Sequence, residues 1–175
     1  MNSALVPGDV REEKLEQLMR AYENDVLRVC FLYLADRALA EDACQDTFMK
    51  VWKHLEQFER RNNCSEKTWI MRIAINTAKD YRRGNWFRHV DISKSIDDIL
   101  PKLQPVMNGT KEVLEDVMAM PAKYKETILL YYYQNLAMEE AAQALGISRP
   151  TFYRRLQKAH SLLRAELEGR EQYEG

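Results

Sequence analysis

Between Glu12 and Leu34 apolar side chains recur at Leu15, Leu18, Met19, Tyr22, Val26, Leu27, Val29, Phe31 and Leu34. Intervals of three and four place them along one side of an amphipathic helix, with Asn24 a candidate point of interruption. Ala35–Arg37 reads as a short connection. The helical period resumes from Ala38 to Phe58 through Ala43, Thr47, Phe48, Val51, Trp52, Leu55 and Phe58. The polar run Arg60–Ser65 predicts a turn, in which Asn63 or Ser65 can cap the next helix. That third helix is predicted over Thr68–Arg83. Trp69, Ile70, Ile73, Ala74, Thr77 and Tyr81 fall on one face, Arg72, Asn76, Lys79 and Arg83 on the other, and Gly84-Asn85 suits its end.

From His89 to Thr110 the pattern changes. Pro101, Pro105 and Asn108-Gly109 interrupt a stretch of weak periodicity and several acids, which predicts a linker. Beyond it, Lys111–Met120 is a helix, and Pro121 suits the first turn of the next, running to about Asn135. Leu136–Glu140 opens a short helix ending at Leu145-Gly146. Ser148 caps a last helix to about Leu167, with Pro150 where a missing amide hydrogen costs little. No strand-type alternation of useful length occurs. The expected fold is all-α, with two small helical domains at residues 10–88 and 111–170, joined by a linker over 89–110.

The second domain carries the sharpest physical signal. A short helix, a turn at Gly146 and a capped helix make a helix-turn-helix. Ala141, Ala142 and Leu145 face inward, Ile147 fills the turn, and Phe152, Leu156, Ala159 and Leu163 anchor the second helix. That leaves Arg149, Thr151, Tyr153, Arg154, Arg155, Gln157, Lys158 and His160 toward the outside, where Arg and Gln can read base edges in a major groove and other cations hold phosphates.

Charge changes the picture more than its total suggests. The formal net charge of the 175 residues is only −1. Yet Arg60, Arg61, Lys67, Arg72, Lys79, Arg82, Arg83 and Arg88 stand against only Glu66 and Asp80, and Leu145–Arg164 contains no acid at all. The acids gather at Asp36–Glu59, at Asp91–Asp116 and after Arg164. Two basic blocks between acidic ones suggest two anion-binding surfaces; the plainer alternative for either block is a solvated helix face. Trp69 and Tyr81 beside the first block suit either the core or stacking on unpaired bases, and Trp86-Phe87 either core or base contact.

Other chemistry finds little support. Cys30, Cys44 and Cys64 are widely spaced, and His54, His89 and His160 lie at no metal-ligand spacing, so the cysteines read as buried apolar residues and neither metal nor cofactor is expected. No nucleophile–base pair or phosphate loop is visible, which argues against catalysis. The N-terminal Met1–Lys14 is polar, and no apolar run approaches a membrane span, so a cytoplasmic protein without membrane insertion is expected. A stand-alone helix-turn-helix regulator would explain the second basic block but leave the first without a purpose.

Two segments then carry a specific resemblance. AEDACQDTFMKVWKHLEQF (Ala40–Phe58) with TWIMRIAINTAKDYRR (Thr68–Arg83) is similar to region 2 of extracytoplasmic-function sigma factors, and Met120–Arg164 resembles their region 4. The order and the intervening linker match as well. The resemblance implies a region 2 helical bundle and a region 4 helix-turn-helix. It implies that Asp42, Gln45, Asp46, Phe48 and Trp52 dock on the clamp helices of the largest subunit of core RNA polymerase. It places Arg60, Arg61, Lys67, Arg72, Asn76, Lys79, Arg82 and Arg83 at the −10 promoter element, where the non-template strand is separated and a base leaves the stack. The helix-turn-helix becomes the −35 reader. Implied partners are core polymerase including its beta flap, promoter DNA and an anti-sigma factor. Arg149–Tyr153, His160 and Tyr131 depart from the usual pattern, which leaves the −35 bases open.

Overall fold

The computed structural model describes residues 7–61, 63–83 and 111–173, with side chains over 10–61, 63–83 and 111–172. Its helices are α1 (Pro7–Leu34), α2 (Arg37–Arg61), α3 (Glu66–Arg83), α4 (Lys111–Ala119), α5 (Ala122–Ile128), α6 (Met138–Leu145) and α7 (Arg149–Tyr173), with a π-helical turn, Leu129–Tyr133, continuing α5. Among the described residues there is no strand. The predicted linker lies outside the described residues.

Helix α1 runs unbroken through Asn24, the candidate point of interruption. Val26, Val29, Cys30 and Phe31 are fully buried just beyond it, and that burial outweighs one poor helix former, which costs well under ~1 kcal/mol. The helix stops at Ala35, held at φ 51°, whose amide donates to the Phe31 carbonyl at 2.7 Å. Asp36 then caps α2 by accepting the Leu39 amide at 2.8 Å, so the second helix begins sooner than expected. Arg60 and Arg61, expected in a turn, are the last helical residues of α2, and Arg60 pairs with Glu56 one turn back at 2.7 Å. Ser65 caps α3, accepting the Thr68 amide at 3.1 Å.

These three helices share one core, in which Phe31, Leu34, Leu55, Ile70, Met71 and Ile75 are buried. Burying side chains of this size contributes roughly 1.5–3 kcal/mol each. The single inward face expected for α3 is corrected: Met71 and Ile75 are buried, whereas Trp69, Ile73 and Tyr81 are half-buried. The cause is that α3 packs against α1 and α2 on one side and α6 on another. Trp69 stacks on Phe58, with ring centroids 4.3 Å apart and planes 9° from parallel.

In the C-terminal unit, Lys125, Glu126, Thr127, Ile128, Leu129 and Leu130 are all buried in succession. Six consecutive buried positions cannot share one face, so this helix is covered on several sides. The packing of α5 against α7 covers one of them. At the helix-turn-helix corner, Gly146 takes φ +66°, its amide donates to the Gln143 carbonyl at 3.1 Å, and the Ile147 amide reaches back to Ala142 at 3.0 Å. This is a Schellman ending, which favours glycine at the left-handed position. A Cβ there would meet nothing within 4 Å, so Gly146→Ala is expected to cost only the backbone penalty, about 1–2 kcal/mol. Denaturant melts should show it, with Gly146→Asn falling in between.

Candidate nucleic-acid interface

The start of α7 is built by its caps. Ser148 Oγ accepts the Thr151 amide at 3.4 Å and bonds its hydroxyl at 2.9 Å. Across the turn, the Glu140 carboxylate accepts the Ala137 amide at 2.9 Å, fixing the first turn of α6. Phe152, Leu156 and Ala159 are buried, which turns Tyr153, Arg154, Gln157 and Lys158 to solvent, with Thr151, Arg155 and His160 half-buried. Leu145, Ile147 and Leu163, expected as anchors, are only half-buried. Two outward groups have neighbours that the sequence did not announce. Arg149 pairs with Glu139 at 2.9 Å, and the His160 imidazole shares a 2.7 Å hydrogen bond with the exposed Tyr132 hydroxyl. Tyr132 lies on the π-helical turn, a form often found at functional sites.

The cations of α3 and its approach are less free. Arg61, Arg72, Asn76, Arg82 and Arg83 are exposed, as is Arg60, already paired with Glu56. Lys67 lies 3.5 Å from Asp25, and Arg83 lies 3.6 Å from Asp80. Arg72 donates to the Gln143 carbonyl of α6 at 2.6 Å, and Lys79 meets the buried Glu126 of α5 at 2.9 Å. The stripe Arg72, Asn76, Lys79, Arg83 is thus one surface, straddled by the C-terminal unit at two of its cations.

On α2, the expected docking residues divide. Asp42 and Gln45 are exposed. Asp46 accepts the Tyr81 hydroxyl at 2.6 Å, and burial, reinforced by that bond and the charges of Asp46 and Asp42, pushes the Tyr81 phenol up to about 12. Phe48 is buried rather than presented, because it belongs to the core stripe of α2. It still floors an open groove of about 600 Å³ between α1 and α2, shared with Leu15, Met19, Gln45, Met49 and Trp52. Arg11 holds Trp52 from the other side: its guanidinium lies 4.2 Å from the ring centroid and donates to the Trp52 carbonyl at 2.5 Å. Met49, 69% exposed, was not anticipated. Its signal was an apolar residue off the buried stripe of its helix.

Cys30 and Cys44 are buried, and burial pushes their thiols up to about 12 and about 11, so they stay protonated and unreactive near neutral pH. Among the described residues no group of three His, Cys, Asp or Glu could hold a metal, and no helix is long and apolar enough to cross a membrane.

Comparison with known proteins gives this arrangement a family. Residues 18–88 match Sigma-70 region 2, and residues 111–163 match Sigma-70 region 4. The RNA polymerase sigma-E factor of Streptomyces coelicolor is 26% identical over 170 residues, covering 94% of this chain and 90% of the relative. Two solved structures, at 20% identity, share the fold: CnrH in complex with the cytosolic domain of CnrY (TM-score 0.68, 90% of both chains) and RpoE in complex with the anti-sigma factor NepR from Bartonella quintana (TM-score 0.65, 89% and 98%). The ECF RNA polymerase sigma factor SigM of Bacillus subtilis is 31% identical over 159 residues, 86% of this chain and 93% of SigM. At that identity over nearly the whole of a relative, and with both regions matched in order, the chain belongs to the ECF RNA polymerase sigma factors, which act in transcription initiation.

Proposed function

We propose that this sigma factor binds core RNA polymerase through α2, recognises −10 and −35 promoter elements with α3 and α7 respectively, and directs initiation with local melting of the promoter. The reading divides the chain at residues 10–88, 89–110 and 111–170, as the sequence pattern does. The observation that carries it is the start of α7. From Arg149 to Arg164 the helix has no acid, its buried side is fully apolar, and Arg154, Gln157 and Lys158 stand exposed beyond a capped turn. Arg149 meets Glu139 within the chain, but the exposed cations beyond it suit an anionic groove.

Region 2 supplies the other half. Asn76, with Arg72, Lys79 and Arg83 on one stripe, suits an unpaired strand whose backbone cations offset the cost of unstacking a base. Arg60, Arg61, Lys67 and Arg82 extend that field. Asp42, Gln45, Asp46 and Trp52 rim the α2 surface that meets the polymerase clamp helices, and region 4 meets the beta flap. An anti-sigma factor covering both regions is the expected regulator, and the cytoplasm the expected compartment. The test is reconstituted transcription with core polymerase, this protein and fragmented genomic DNA of the source organism. Discrete transcripts that depend on the added protein are expected. Duplex binding without polymerase and without transcripts would overturn the reading in favour of a stand-alone regulator.

A further inference from the structure

Region 4 rests on the same stripe of α3 that promoter opening would use. Glu126 makes the point chemically. Its side chain is only 5% exposed, yet its ion-pair partner, Lys79, lies across the boundary in region 2 at 2.9 Å. A carboxylate is costly to bury without such a partner. Nearer the start of α3, Arg72 donates to the Gln143 carbonyl at 2.6 Å, and the Gln143 amide donates back to the Asn63 carbonyl at 3.2 Å. Lys125 sits 5.7 Å from the Tyr33 ring and donates to the Met118 carbonyl, its ammonium pulled down to about 8 by burial and by Arg82. Cations on both sides of Asn76 are therefore occupied, while Asn76 between them faces solvent.

We infer that region 4 is an intramolecular competitor of the non-template strand: in the free chain it occupies Arg72 and Lys79 through Gln143 and Glu126, and it must lift away before α3 can engage the −10 element. Region 4 seated against these two cations takes up donors and space that a strand's phosphates would need there. The contact is built to release. The Gln134 Oε1 is buried at this boundary without a hydrogen-bond partner, and the Gln134 amide makes only a 3.4 Å bond to the Asp25 carbonyl. Separation hydrates that oxygen, so it returns part of what the ion pair holds. The joint is mixed: buried apolar residues of the two regions form one continuous cluster, and beside it stand polar contacts that draw on cations with another use. The free protein is thereby masked without any second chain.

The inference rests on the reading of α3 as the −10 contact, and two variants separate the two. Glu126→Gln keeps the side chain's volume but removes the charge that Lys79 meets. It should shift the closed-to-open ratio about tenfold, the scale of one charged hydrogen bond, seen as a larger radius of gyration in X-ray scattering and tighter binding of a single-stranded −10 oligonucleotide. Glu168→Gln, the same charge change at an exposed site of α7, should do neither. For the reverse arm, Asn63→Cys and Gln143→Cys in a Cys64→Ser background allow a short cleavable bismaleimide to lock the joint. The locked protein should lose oligonucleotide binding and transcription with core polymerase at least tenfold, and cleavage of the linker should restore both. Locked protein that binds the strand as well as unlocked protein would overturn the competition while leaving the −10 reading intact. If neither locked nor released protein binds the strand, the −10 reading falls, and the competition with it.

Discussion

Phe152→Ala is expected to unfold region 4. Phe152 is fully buried in α7 and, with Phe31, heads the fully buried side chains by size among the described residues. Truncating such a ring removes its transfer energy and leaves a cavity, about 3–5 kcal/mol together. The unit that must absorb this loss is small. Lys111–Tyr173 spans roughly 60 residues, and at about 0.05–0.15 kcal/mol per residue its whole stability is of that order. The loss should appear as collapse of the C-terminal melting transition and of hydrogen-exchange protection in α6 and α7, with transcription abolished at promoters that depend on a −35 element. Phe152→Leu fills most of the space and should retain the transition with a loss nearer ~1 kcal/mol. A melting curve for Phe152→Ala within about 1 kcal/mol of the parent, far below the usual cost of such a truncation, would mean that α5 and α7 do not share the core described.

The consequence of Phe152 was legible because it sits on a helical period with Leu156 and Ala159, and its helix packs against α4, α5 and α6 of its own domain. The same holds for the Ser65 and Ser148 caps, whose chemistry is local and needs only a few neighbouring residues. Where a second layer intervenes, periodicity stops being a guide. Met71 and Ile75 lie off the stripe that the first half of the chain defines, and they are buried in a helix packed by α1 and α2 and also by α6. Lys125 and Glu126 look like surface charges in sequence; they are buried, and each meets a residue of region 2, Tyr33 and Lys79 respectively. No local rule could anticipate a pairing of Lys79 with Glu126 across a linker. Arg11 on Trp52 is another contact of this kind, joining positions 41 residues apart. Asp36 is a different failure. Its capping role is written in the sequence, since Asp is a preferred N-cap, but the short Ala-Asp-Arg segment reads equally well as a plain connection. The π-helical turn at Leu129–Tyr133 gives no sequence sign beyond a run of bulky apolar residues.

Changing Arg154 and Lys158 together to Ala is expected to weaken binding of a −35 duplex by roughly ten- to a thousandfold. Both side chains are exposed on consecutive turns of α7, so the change should leave melting unaffected, and the loss can be assigned to the interface. An arginine that reads a base edge is worth about 1–3 kcal/mol, and each phosphate contact removed lowers the salt slope by about 1. Anisotropy titrations at several salt concentrations separate the two: a parallel drop at all salts marks base reading, a flatter slope marks phosphate. Arg149 makes a useful contrast, because it must first leave Glu139, 2.9 Å away, and its removal should cost less. The stronger contrast comes from region 2. Asn76→Ala, equally exposed, should leave duplex binding at −35 unchanged and instead reduce the permanganate reactivity of thymines unpaired at −10. The two surfaces carry separate tasks only if these defects stay separate. If Asn76→Ala weakens −35 binding as the double variant does, or the double variant blocks opening on a duplex already saturated with protein, then α3 and α7 act as one surface and the division of labour between them is wrong.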